Sequence, residues 1–183
     1  MLQIGTRLRK RVWETRPSRA EAPLRSELFS REQMEQHGKL LAASHSVARG
    51  HASDHLLARL ADNEKVLNET CHLLTTAIKE NRRIAPAGEW LLDNFYLIQQ
   101  QIRTARRHLP KGYSRALPRL LNGQSAGLPR VYDLALETIS HGDARVDPES
   151  LGGFVTAYQT ITSLKLGELW AIPIMLRLAL IEN

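Results

Sequence analysis

Leu91, Phe95, Ile98, Ile102, Ala105 and Leu109 are separated alternately by four and three residues and form one continuous apolar seam. That period matches one face of an α-helix and no face of a strand. The spacing therefore predicts a helix from about Glu89 to His108 that must lay its seam on other apolar surface. No window of the chain alternates apolar and polar residues between hairpin turns, so no sheet is expected to supply it. The partner surface has to come from further helices.

The rest of the chain offers them. Ser30-Arg31-Glu32-Gln33 has the spacing of a capping box, which predicts a helix from there to about Val47. Ser53 or Asp54 can cap a second helix ending near Asn81, with Leu56, Leu60, Leu67, Cys71, Leu74 and Ile78 on one face. After the seam helix, Pro110 and Gly112 open a long connection that also holds Pro118, Gly123, Gly127 and Pro129, with a short helical turn expected at 115–121. A helix over about 130–140 buries Val131, Leu134, Ala135 and Ile139. Asp147-Pro148 starts another, because aspartate caps well and proline suits the first helical position. Its core face is Leu151, Phe154, Val155 and Tyr158. Ser163 can cap a last helix running from Leu164 to the end. Lys165, Glu168 and Arg177 interrupt that helix, so it is expected as a core helix rather than a membrane span, kinked at Pro173. The expected fold is all-α: an irregular bundle of about six helices over 29–183, incomplete at its C-terminus, after a flexible basic lead-in at 1–28.

Charge narrows the function classes. The net charge is +6, and it is unevenly placed. Arg7, Arg9, Lys10, Arg11, Arg16, Arg19 and Arg25 crowd the first residues. The stretch 94–132 carries basic side chains and no acid. The single cysteine, Cys71, excludes a disulfide scaffold or a cysteine-rich zinc site, and on its apolar stripe it is expected as a buried thiol. No long apolar run follows the N-terminal charges, so no signal peptide is expected.

Chemical motifs are sparse. Gly123-Gln124-Ser125-Ala126-Gly127 fits the pattern of a nucleophile elbow, but that elbow needs a strand before it and a helix directly after. It is expected to be a plain flexible loop. His37, His45, His51 and His55 lack metal-ligand spacing and are expected at the surface, with no metal bound. Glu89 and Asp93, paired carboxylates at i, i+4, can be read as a general acid/base pair, but no second pair faces them, and they are expected to favour the start of the seam helix through its dipole. Trp90, Phe95 and Tyr96 can be read as a sugar-stacking platform or as core, and helical spacing favours core; Tyr113 joins Trp90 and Tyr96 as a sugar-stacking candidate. The candidate anion site is Arg103, Arg106, Arg107, Lys111 and Arg115, gathered where the seam helix ends. Cations there complement the helix dipole. They also suit phosphate, a nucleotide-sugar, lipid headgroups or an acidic protein surface. Nucleic acid is not expected as a partner, because no recognition motif accompanies the charge.

Longer strings carry a family resemblance. Pro23-Leu24-Arg25-Ser26-Glu27-Leu28-Phe29-Ser30, Glu89 to Ile98, Gln101 to Arg115, Pro129-Arg130-Val131-Tyr132-Asp133-Leu134-Ala135 and Leu166 to Asn183 resemble the N-terminal region of bacterial cyclic β-1,2-glucan synthases. The resemblance implies a very large inner-membrane enzyme that polymerises glucose from UDP-glucose, with a divalent metal, and cyclises the product, an osmoregulated periplasmic glucan. It places this region on the cytoplasmic side, before the catalytic domains. It implies a non-catalytic role, with no cofactor of its own and no catalytic residue to carry over. The partners it implies are the downstream glycosyltransferase domain and an anionic membrane surface. The alternative from the residues alone is a free-standing helical module that engages anionic partners through its basic faces.

Overall fold

A computed structural model describes residues 27–48, 55–109 and 112–183. The basic lead-in, apart from Glu27 and Leu28, lies outside the described residues, as do Ser53, Asp54 and Lys111. The order is α1 (Arg31–Ser44), β1 (Val47–Ala48), α2 (His55–Lys79), α3 (Pro86–His108), α4 (Tyr113–Ala116), β2 (Arg119–Leu120), α5 (Arg130–His141), α6 (Pro148–Gln159) and α7 (Leu166–Glu182). The fold is all-α, as expected. One small strand pair departs from the sequence reading: β1 and β2 are antiparallel, with Val47 opposite Leu120 and Ala48 opposite Arg119. Pairs this short carry no periodicity a sequence can show.

Local chemistry accounts for the helix starts. The Gln33 amide donates to the Ser30 hydroxyl at 3.3 Å, and the Ser30 amide donates to the Gln33 side chain at 2.7 Å, which closes the capping box. The Ser150 amide donates to the Asp147 carboxylate at 2.7 Å, and Pro148 takes the first turn of α6. The seam helix α3 begins at Pro86, earlier than the sequence suggested, because proline is accommodated where the amide is unpaired anyway. The last helix starts at Leu166 rather than Leu164. Its cap comes from within, since the Lys165 amide donates to the Glu168 carboxylate at 2.9 Å. Asn81 ends α2 in the left-handed region, at φ 55°.

The packing is pairwise: α1 lies on α6, α5 on α7, and α3 on α2 and α7. Tyr132, Phe154, Tyr158, Ile102, Ile139 and Met175 form the fully buried centre. The seam of α3 is graded, with Ile102, Ala105 and Leu109 buried and Leu91, Phe95 and Ile98 half-buried. In α2 the buried residues are Leu56, Leu60 and Cys71. The two helices are thus anchored at the start of α2 and the end of α3, while their linked ends rest mainly on each other. Gly88 lets them approach: a Cβ there would stand 3.0 Å from a methyl of Leu74. α7 runs through Pro173, buries Ala171, Ile174, Met175, Leu176, Leu178 and Ala179, and leaves Trp170 exposed. Among the described residues no helix is long and apolar enough to cross a membrane.

Polar groups thread this core in matched sets. Arg130 and Glu168 form a bidentate pair at 2.6 and 2.8 Å. Their side chains are 4% and 1% exposed, so the charges compensate each other rather than being solvated. Arg130 also donates to the Ser163 carbonyl at 2.8 Å. The hydrogen bond to Glu168 holds the guanidinium above its already high range, against the cost of burial. Among the described residues no buried side-chain nitrogen or oxygen lacks a hydrogen-bond partner.

Candidate functional site

The site is built where α1 and α5 converge. Helix α5 turns Asp133, Glu137 and His141 toward α1 at successive helical spacings of four. From the other side α1 brings His37, and the chain just past its end brings His45. A cleft of about 400 Å³ lies between them, closed by the loop 122–125.

His45 is held at both ring nitrogens. One lies 2.9 Å from the Tyr158 hydroxyl and the other 3.1 Å from the Asp133 carboxylate. Its side chain is 7% exposed. Burial raises the Tyr158 hydroxyl above the ordinary tyrosine range, and the nearby Arg130 only partly offsets that, so it stays a protonated donor. A second cluster sits beside it. The His37 Nε2 lies 2.6 Å from a Glu137 carboxylate oxygen, and the His141 Nε2 lies 3.3 Å from the same atom. The His141 Nδ1 donates to the Glu27 carbonyl at 2.6 Å. Phe29 stacks on the His141 ring at 3.8 Å between centroids and meets His37 edge-on at 5.3 Å.

These positions correct the reading of His37 and His45 as surface residues, whereas His55 is exposed as expected and His51 lies outside the described residues. His45 and His141 are enclosed, and His37 is partly so. Each is accepted into the interior because a partner distant in sequence satisfies its ring. The sequence held one faint signal: Glu137 and His141 are one turn apart on the same helix. Ser125 lies in the same cleft and is buried. The His45 nitrogens are already taken by Tyr158 and Asp133, so His45 is not free to activate it. Its loop is a tight, internally bonded turn, with the Gly127 amide on the Leu120 carbonyl at 2.8 Å and the Leu128 amide on the Ser125 carbonyl at 3.0 Å. It is not the loose connection the sequence suggested.

The other sequence candidates scatter. Trp90 and Tyr96 are 62% and 63% exposed, so they are not core, while Phe95 is half-buried. Tyr113 follows the opposite end of α3, about 27 Å along the helix from Trp90 at the standard rise. The three aromatics therefore form no single platform. Tyr113 instead donates to the Gly167 carbonyl at 3.1 Å and lines a second cleft with His108, Trp170, Pro173, Ile174 and Arg177. Trp170 was missed because it stands inside an unbroken apolar run that reads as core. In the basic turn, Arg106 is paired with Glu64 of α2. Arg103, Arg107 and Arg115 are exposed. Cys71 is buried, as the apolar stripe of α2 led one to expect, and burial pushes its thiol up.

An all-α body with an enclosed polar cluster, joined to a long projecting helical hairpin, is the class these features define. No family model matches the chain. Over 126 residues, 69% of its length, it is 36% identical to the cyclic beta-(1,2)-glucan synthase NdvB of Rhizobium meliloti (strain 1021). This bears out the resemblance read from the sequence strings. The chain spans about 4% of that relative's length.

Proposed function

We propose that this chain serves cyclic β-1,2-glucan synthesis as a non-catalytic helical region. In this reading it packs against a glycosyltransferase domain on the cytoplasmic side of the inner membrane. Polymerisation of glucose from UDP-glucose, its divalent metal and cyclisation belong to other parts of the full-length enzyme. The observation that carries the reading is the 36% identity across 126 residues to a glucan synthase. The exposed apolar side chains support it. Val66, Leu73, Trp90, Leu97, Leu166 and Trp170 are each at least 41% exposed on α2, α3 and α7. Exposed apolar side chains on these helices offer surface for a protein contact. The test is a graft. NdvB lacking the matching segment, expressed in a strain without its own synthase, is expected to make no cyclic glucan, and the corresponding 126 residues of this chain are expected to restore it. A chimera that accumulates normally and yields no glucan refutes the reading. The chain alone is expected to incorporate no label from UDP-glucose.

A second reading, a module that engages anionic surfaces, is favoured by Arg103, Arg107 and Arg115, which stand exposed in an acid-free stretch. Each cation near an anionic bilayer contributes about 1 kcal/mol. Neutralising all three then weakens liposome binding by about two orders of magnitude at low salt. Absence of binding by the native chain to anionic vesicles at low salt eliminates this reading.

A further inference from the structure

We infer that His37, Glu137 and His141 form a binding site for a divalent transition-metal cation of the zinc type. The site contributes three protein ligands and leaves a fourth position to water. Their ligand atoms, two imidazole nitrogens and one carboxylate oxygen, all lie within 4.8 Å of one another. In a tetrahedral zinc site with bonds of about 2.0–2.1 Å, neighbouring ligand atoms stand about 3.3 Å apart. The separation of His141 Nε2 from the Glu137 oxygen is already 3.3 Å. The separation of His37 Nε2 from the same oxygen is 2.6 Å and has to open by about 0.7 Å. Two histidines and a glutamate are a ligand set zinc takes with an open position.

The surroundings match what a metal site requires beyond its ligands. A ligating imidazole is oriented by the hydrogen bond its other nitrogen makes. The Nδ1–H of His141 donates to the Glu27 carbonyl at 2.6 Å, which leaves the Nε2 lone pair directed at the cluster. Phe29 stacks on the same ring within 10° of parallel, and its backbone amide donates to the His141 carbonyl at 3.2 Å. The ring is therefore fixed from behind and from one face before any ion arrives. Phe154 lies parallel to the His37 ring at 6.3 Å. Side-chain exposures of 24%, 28% and 10% for His37, Glu137 and His141 leave the cluster reachable by an ion. Glu137 and His141 also line the cleft, which supplies water for the fourth position. Once the cation is bound, His37 carries its proton on Nδ1 and its Nε2 turns from Glu137 to the ion. The cation then ties α1 to α5 across a separation of a hundred residues.

The test uses the tag-free chain, stripped with chelator and titrated with Zn²⁺ by calorimetry. One equivalent is expected to bind and to raise the unfolding temperature. Co²⁺ in its place gives the intense visible absorption of a four-coordinate ion rather than the weak bands of a six-coordinate one. Loss of an outer partner alone costs a metal site 10–100-fold in affinity, and loss of a ligand costs no less. His37→Ala and His141→Ala are therefore each expected to weaken binding at least about 10-fold. Glu137→Gln keeps the shape and a hydrogen-bond acceptor, so it tests the carboxylate even where the alanine variants fold poorly. His72→Asn, on the exposed face of α2, leaves binding unchanged. Absence of stoichiometric binding overturns the proposal, and so does binding that survives Glu137→Gln in a folded variant. In either case the trio is a hydrogen-bond network only.

Discussion

Removing one member of the buried Arg130–Glu168 pair should be among the most damaging single changes in the molecule, and removing both should cost little more. The pair is bidentate at 2.6 and 2.8 Å and nearly sealed, at 4% and 1% side-chain exposure. Glu168→Leu leaves the guanidinium with the Ser163 carbonyl and a distant Tyr158 ring face, 6.0 Å away. It also removes the acceptor for the Lys165 amide at the start of α7. Breaking a buried pair on one side costs about 3–5 kcal/mol, so about 4 kcal/mol is expected here. Arg130→Met strands the carboxylate with the Lys165 amide as its remaining donor among the bonds described, at about 3 kcal/mol. In the double variant no charge is left to desolvate, and the loss stays at about 4 kcal/mol, well short of the sum of the singles, made up of the lost cap and imperfect packing. The cycle then gives a coupling of about 3 kcal/mol, at the upper end for interacting neighbours. Urea denaturation of the four proteins measures it. Single losses below about 1 kcal/mol, or a double loss equal to the sum of the singles, would refute the claim that the pair is desolvated and coupled.

Gly38→Ala is expected to cost about 1–3 kcal/mol in thermal denaturation, because its Cβ would stand 2.8 Å from the Phe154 carbonyl oxygen across the α1–α6 contact. Gly152→Ala, also helical but facing open space, should instead stabilise by about 0.5–1 kcal/mol. The Cys71 thiol, buried and shifted upward by that burial, is expected to react slowly with a disulfide reagent at pH 8 and at the ordinary rate in urea. Burial by itself would raise the Glu182 carboxyl, but hydrogen bonds from Arg59 and Tyr132 outweigh it and hold the group below the usual carboxylate range. A depressed carboxyl stabilises the fold above the unfolded value of about 4.3 and loses that contribution as pH falls through the folded one. Glu182→Gln should therefore be less stable than the native chain at pH 7, with the gap closing in acid; a gap independent of pH would count against the assignment.

The apolar seam of α3 and the capping box of Ser30 and Gln33 were legible because both are written within a few residues. The histidine cluster was not. Its members pair across about a hundred residues, and nothing local to His37 indicates that Glu137 will stand beside it. The opposite error occurred at Trp90 and Trp170. Both sit at apolar spacings and read as core, yet both face outward. Apolar periodicity identifies which face of a helix seeks cover, but not whether this chain supplies it.

Helix α5 shows why so many polar residues are tolerated in the interior. Its sequence places Arg130, Tyr132, Asp133, Glu137 and His141 against partners drawn from several other elements. Arg130 meets Glu168, and Tyr132 donates to Glu182, both on α7. Asp133 meets His45, Glu137 meets His37, and His141 reaches the Glu27 carbonyl. Apolar contacts on the same helix, such as Val131, Ala135 and Ile139, are non-directional and would tolerate a small shift in packing that kept them buried. The polar contacts would not. A rotation of α5 by one residue, about 100° at 3.6 residues per turn, leaves a buried guanidinium, a buried carboxylate and two imidazoles without partners at once. Unpaired buried groups cost about 1–3 kcal/mol each, and charged ones more. The penalty for a misplaced α5 thus rivals the 5–15 kcal/mol that typically holds a whole domain together. The position of α5 is therefore set by hydrogen-bond geometry together with hydrophobic burial, and the cleft between α1 and α5 inherits its dimensions from both.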